Sequence, residues 1–154
     1  SGVSAGGTLA MNLAYGGNSA IPVRFVFELA APTYFVAEDW GSLMKSDNLG
    51  SEEEFYQMMT GKELSVQEYR QEIKKISPTC LVGEDSVPTL IGYGLKDHCV
   101  PADQKEYLID ALEKNGVSYD YVEFPHSNHL LYGDLDKMQT FMDLSLEYCK
   151  KYFQ

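Results

Sequence analysis

A chain of 154 residues is long enough for one domain with a buried core, and 44% hydrophobic with 23% charged residues is the make-up of an ordinary folded protein. Twelve Lys and Arg against 23 Asp and Glu give a net charge of −11, which argues against a nucleic-acid partner or an anionic membrane surface, since both demand clustered cations. No apolar run approaches the ~20 residues needed to cross a bilayer.

The chain opens with Ser1-Gly2-Val3-Ser4-Ala5-Gly6-Gly7, which contains Gly-x-Ser-x-Gly with Ser4 at its centre. That spacing is the pattern of a nucleophile elbow, a sharp strand-to-helix turn that holds a serine hydroxyl clear of its surroundings. Glycine is expected at both flanks because a Cβ at Gly2 or Gly6 would collide with the neighbouring strand or helix. The blander reading of the same residues is a flexible terminus. Residues 5–15 read as a helix with Ala5, Leu9 and Leu13 as its buried stripe and Gly16-Gly17 as its stop. Val23 to Leu29, dense in β-branched and aromatic residues, suits a strand covered on both faces, and Ala30-Ala31-Pro32 ends it.

From residue 34 to 77 no strand pattern occurs. Two helix starts of the capping-box kind appear instead, Ser51 with Glu54 and Ser65 with Glu68. The first helix presents Phe55, Met58 and Met59 on one side, and the second presents Val66, Tyr69, Ile73 and Ile76. Residues 87–93 form the next buried strand and lead into Gly94-Leu95-Lys96-Asp97-His98-Cys99-Val100-Pro101. A helix follows from about Pro101 to Asn115, stopped by Gly116. Tyr119 to Phe124 alternates in a way that suits a strand near a sheet edge. The loop Pro125-His126-Ser127-Asn128-His129-Leu130 then leads to a last helix over 134–152, with Met138, Phe141, Met142 and Ser145 inward. Three strands alternating with helices predict a single α/β domain over 1–154, built on a three-stranded parallel sheet.

A serine hydroxyl becomes a nucleophile only beside a base, and the base needs a third group to orient it. Elbow hydrolases carry these groups in the order serine, acid, histidine. Ser4, Asp97 and His129 follow that order, and Asp97 and His129 each lie in a loop after a strand. On these three segments the chain resembles the α/β-hydrolase superfamily, in the esterase and lipase branch related to prolyl-oligopeptidase-like domains. The resemblance implies Ser4 as nucleophile, His129 as general base, Asp97 as orienting acid and the Ala5 amide as an oxyanion donor. It also implies that residues about 36–78 form a helical cap over the site, with Trp40, Phe55, Met58 and Met59 as candidate lining of a substrate pocket. A plain core stripe explains the same apolar residues.

The rivals are His126 for the base, and Asp85 and Asp103 for the acid. A metal site from His98, His126, His129 and Asp97 is the remaining alternative, but it leaves the serine unexplained. The expected activity is hydrolysis of carboxylic esters of small molecules through an acyl-enzyme, with no cofactor and no metal. Peptidase or thioesterase chemistry fits the same triad, and a non-catalytic fragment or pseudo-hydrolase binding module is the opposing class. Because only a neutral imidazole accepts a proton, activity is expected to fall in mild acid.

The resemblance also implies strands and a second oxyanion donor upstream of Ser4. The chain is therefore expected to be the C-terminal portion of a longer enzyme, weakly active or inactive alone, since one lost donor costs on the order of 10²–10³ in rate. A remnant sheet is expected to self-associate through an open edge along Val23–Leu29 or Thr89–Tyr93. Three widely spaced cysteines, Cys80, Cys99 and Cys149, fit reduced thiols and a cytoplasmic location.

Overall fold

A computed structural model of the chain describes residues 1–17, 19–36 and 50–153. Four strands, all parallel, lie in the order β1 (Gly2–Val3), β2 (Val26–Leu29), β3 (Thr89–Gly94) and β4 (Tyr119–Phe124). The sequence predicts three. The fourth is the two-residue β1, too short for any periodicity, in which Gly2 and Val3 pair with Glu28 and Leu29. β3 is paired on both sides, so it offers no open edge, and the outer strands are β1 and β4. Among the described residues, the β1 side of β2 is covered at Glu28 and Leu29 alone.

Successive strand residues face opposite ways and so feed two cores. On one face, Val26, Ile91 and Tyr93 meet Met11 of helix α1 (Ala5–Tyr15) and Leu108 and Leu112 of helix α5 (Gln104–Lys114). On the other, Leu90, Val122 and Phe124 meet Phe141 and Tyr148 of helix α6 (Leu135–Tyr152). Each fully buried side chain of this size contributes roughly 1.5–3 kcal/mol relative to exposure. Between β2 and β3 lie α2 (Glu52–Thr60), α3 (Val66–Lys74) and the short α4 (Pro78–Leu81). Both expected capping boxes form. α2 and α3 share a separate core of Phe35, Phe55, Tyr56, Tyr69 and Ile73. The two stems of this insertion are tied together: Phe35 N donates to Ser77 Oγ at 3.1 Å and Thr79 N donates to Thr33 O at 3.0 Å.

Three expected faces differ. α1 buries Gly7, Thr8 and Met11, whereas Leu9 and Leu13 are 70% and 52% exposed and Ala5 is exposed too. The tight turn at Ser4 presses the helix against the sheet, so its smallest side faces inward. A Cβ at Gly2 would lie 2.1 Å from the Gly6 carbonyl, and one at Gly7 would lie 2.7 Å from Ala31 Cβ. At Gly6 a Cβ would meet nothing within 4 Å, so Gly7 and not Gly6 shares the steric role with Gly2. On α6 the inward stripe is Phe141, Ser145 and Tyr148, with Met142 half exposed. On α2, Tyr56 is buried and Met58 is 64% exposed. Gly2→Ala is expected to destabilise by about 1–3 kcal/mol through overpacking, while Gly6→Ala leaves the melting temperature unchanged or raised; thermal unfolding of the two variants checks this.

Glu28 interrupts the apolar run of β2 and is fully buried. Its Oε2 accepts from Ala31 N at 3.0 Å, and its Oε1 has no partner among the described residues. Burial drives its pKa well above the ordinary carboxylate value, outweighing the Ala31 hydrogen bond. A carboxyl whose folded pKa is raised supports folding while both states hold the proton. That support is lost as pH rises above the unfolded value, because only the unfolded chain then ionises freely. Relative to the parent, Glu28→Gln is expected to be more stable at about pH 8 than at about pH 5, measured as the difference between urea midpoints.

Candidate active site

Parallel strands put the loops that follow them at one edge of the sheet, the usual ligand-binding edge of open α/β folds. Ser4 follows β1 directly, Asp97 comes three residues after the end of β3, and His129 comes five after the end of β4. All three therefore emerge at the same edge.

Ser4 has φ 53° and ψ −131°. A non-glycine residue at positive φ costs of order 1–3 kcal/mol and persists only where the surroundings hold it. Here they do, since Ser4 N donates to Leu29 O at 2.8 Å while Ser4 O accepts from Gly7 N at 2.9 Å and Thr8 N at 3.3 Å. The side chain is half-buried at the start of α1. Ser4 Oγ makes no hydrogen bond with His129 among the described residues. The Ala5 amide belongs to the first turn of α1, where helix N–H groups lack intrahelical acceptors.

Asp97 is the aspartate that the fold brings against His129. Its side chain is wholly buried. Oδ1 accepts from Cys99 N at 2.8 Å and Val100 N at 2.9 Å, and Oδ2 lies 2.8 Å from His129 Nδ1. A carboxylate oxygen can only accept, so His129 Nδ1 carries the proton and the lone pair sits on Nε2. Asp85 and Asp103 are exposed and take no part.

The two histidines of the loop are sorted by a second carboxylate. Asp134, buried at the head of α6, accepts from His126 N at 2.9 Å and Ser127 Oγ at 2.6 Å, and its Oδ1 lies 2.7 Å from His126 Nδ1. Burial pushes the Asp134 pKa up, but the Ser127 and His126 hydrogen bonds together outweigh it and hold the carboxyl below its ordinary value. His126 thus serves as an anchor with an exposed ring, while His129 is only 19% exposed. Close approach completes the arrangement: a Cβ at Gly94 would lie 2.5 Å from Ser127 O.

Other residues that build the site carry no motif. Gln104 is fully buried, and its Oε1 accepts from Thr33 N at 2.9 Å and Tyr34 N at 2.7 Å, which ties the loop after β2 to α5. The Tyr93 hydroxyl donates to Ala31 O. Glu28 alone leaves a sequence signal, as the single charge within the four residues of β2. The metal set of His98, His126, His129 and Asp97 is not assembled among the described residues, because His126 belongs to Asp134. A different set converges, in which ligand atoms of Asp97, Cys99 and His129 lie within 4.8 Å of one another.

A cavity of about 400 Å³ opens beside the elbow, walled by Ala5, Leu9, Pro32, Phe35, Phe55 and Met59 among others, with no charged residue among the described ones. Of the candidate pocket residues, Phe55 and Met59 line this cavity and Met58 does not, and Trp40 lies outside the described residues. A larger cleft of about 610 Å³ on the insertion, lined by Lys62, Glu72 and Lys74, includes none of the three residues at the sheet edge.

The prolyl oligopeptidase family matches residues 1–154. The chain belongs to that family. It is thereby a member of the α/β-hydrolase superfamily, as its parallel sheet with flanking helices shows. Similar solved structures include a truncated carbohydrate esterase from gut microbiota, at 19% identity and TM-score 0.69, over 99% of this chain and 59% of that one. An acetyl ester-xyloside bifunctional hydrolase from Caldicellulosiruptor lactoaceticus matches at 18% and 0.66, over 97% and 54%. The Pyrococcus horikoshii acylaminoacyl peptidase matches at 16% and 0.66, over 98% and 23%. The chain thus spans little more than half of the esterases it resembles. Against curated protein sequences there is no match. Among the described residues no helix is long and apolar enough to cross a membrane.

Proposed function

We propose that this chain carries the triad of a serine hydrolase that cleaves carboxylic esters through an acyl-enzyme. The observation that supports it best is the buried Asp97 carboxylate against His129 Nδ1, at the sheet edge where the strained Ser4 emerges. Membership of the prolyl oligopeptidase family and esterase neighbours point the same way.

In this reading His129 Nε2 takes the Ser4 Oγ proton as the oxygen attacks the ester carbonyl. The buried Asp97 charge stabilises the imidazolium that forms and keeps the ring in the required tautomer. The developing oxyanion meets the Ala5 amide at the positive end of α1. The imidazolium then protonates the departing alcohol, and water, deprotonated by the same nitrogen, releases the acid from Ser4. The apolar cavity beside Ala5 takes a hydrocarbon part of the ester, with Phe55 and Met59 of α2 covering it. An amide passes through the same steps with an amine leaving, so the peptidase neighbour keeps peptide substrates within the proposal.

A fluorophosphonate probe is expected to form an adduct on Ser4, located by mass spectrometry and absent in Ser4→Ala. Asp97→Asn should lower the labelling rate by on the order of 10⁴, because the wrong tautomer is then favoured. Absence of label from a folded longer chain that also carries strands upstream of Ser4 supports the non-catalytic binding module instead.

Replacing the two histidines separates base from anchor. His129→Ala is expected to abolish labelling, while His126→Ala stays within roughly fivefold of the parent, since only the ring's hydrogen bond, a contribution of about 0.5–1.5 kcal/mol, is lost and Asp134 keeps those from His126 N and Ser127 Oγ. Equal losses from both would remove His129 as the base.

A further inference from the structure

The loop after β3 brings three different ligand chemistries together: the Asp97 carboxylate, the Cys99 thiol and the His129 imidazole, with ligand atoms all within 4.8 Å of one another. We propose that this cluster is an inhibitory site for a thiophilic divalent cation of the zinc class. The chemistry of the donors selects the ion. Thiolate, imidazole and carboxylate are the three side-chain ligands of Zn²⁺, with bonds of about 2.0–2.3 Å in a tetrahedral arrangement. Such bonds set the ligand atoms roughly 3–4 Å apart, so small side-chain shifts close the site. Hard cations such as Mg²⁺ or Ca²⁺ prefer oxygen ligands and are not favoured here.

The three positions are held in ways that suit capture. Asp97 is fixed by the Cys99 and Val100 amides. Cys99 is exposed and is not disulfide-bonded, so its sulfur is open to an arriving ion. His129 is partly exposed and paired with Asp97. The net charge of −11 raises the local concentration of cations in general. Binding deprotonates the thiol and leaves the fourth position to water.

Inhibition follows whichever imidazole nitrogen ligates. A cation on Nε2 occupies the lone pair meant for the serine proton. A cation on Nδ1 displaces the hydrogen bond to Asp97 and shifts the ring proton to Nε2, which then cannot accept another. The base is lost in both cases, and this consequence rests on the hydrolase reading. The binding itself does not.

The experiment uses the intact reduced chain and has two arms. In the first, Cd²⁺ is titrated as a probe and the cadmium–thiolate charge-transfer absorption is followed, with Zn²⁺ competition. One equivalent is expected to bind to the parent and to Cys80→Ala and Cys149→Ala. The absorption should vanish in Cys99→Ala and the affinity should fall at least about tenfold in His129→Ala, as when a metal site loses a protein ligand. Retained absorption in Cys99→Ala, or an unchanged affinity in His129→Ala, overturns the site. In the second arm, fluorophosphonate labelling is measured against Zn²⁺ and then after EDTA. Each protein is compared with its own metal-free rate. Labelling should be suppressed reversibly in the parent, with the midpoint raised at least about tenfold in Cys99→Ala. Cadmium bound at Cys99 with labelling unaffected by zinc overturns inhibition, whereas a chain that never labels but binds cadmium at Cys99 upholds the site and tells against the hydrolase reading alone.

Discussion

The carboxylate of Asp97 is the point on which the local structure converges. Its side chain has no solvent contact, and both oxygens are engaged, one by two amides of its own loop and the other by His129. A buried charge without partners is strongly disfavoured. The loop backbone must therefore curl so that the Cys99 and Val100 amides point inward, and the histidine loop must come within reach. Gly94 permits that approach, because any side chain there would strike the Ser127 and Asn128 carbonyls. Asp134 fixes the far end of the same loop through His126 and Ser127. Two carboxylates, one on each side, thus set where the His129 imidazole lies.

The serine end is built by crowding instead of charge. α1 lies so close to β1 and to Ala31 after β2 that Gly2 and Gly7 have no room for a Cβ, and the turn between β1 and α1 holds Ser4 at positive φ. The strain is held by the hydrogen bond to Leu29 and by those from Gly7 and Thr8. Beneath the turn, Glu28 and the Tyr93 hydroxyl grip the backbone at Ala31. Gln104 continues the support by fixing Thr33 and Tyr34 to α5. The cavity wall at Pro32 and Phe35 thus hangs from the same loop that braces the elbow.

The outward stripe on α1 is the converse of that crowding. Leu9 and Leu13 repeat at helical spacing and read as a core face, yet close contact with the sheet gives the inward place to Gly7 and Thr8. Leu9 does find apolar company, but in the cavity beside the insertion and not against the strands. The same logic separates Met58 from Met59 on α2. Neighbouring residues on a helix point about 100° apart, so Met59 reaches the cavity and Met58 meets solvent.

The amino-acid order alone determined the alternation of strands and helices, both capping boxes, and the elbow, acid and histidine segments in their family order. These are local patterns of period, turn chemistry and motif spacing. Which aspartate and which histidine would meet was narrowed by motif but decided by tertiary structure. Parallel register brings the ends of β1, β3 and β4 to one edge, and only Asp97 is buried where His129 arrives. Asp134 and Gln104 were invisible as partners because no motif marks them and folding alone brings them to His126, Ser127, Thr33 and Tyr34, while Glu28 stood out as a charge but gave no sign of its bond to the Ala31 amide. The orientation of the α1 stripe and the two-residue β1 likewise depend on how closely a helix can lie on a sheet, a distance that no one-dimensional pattern records.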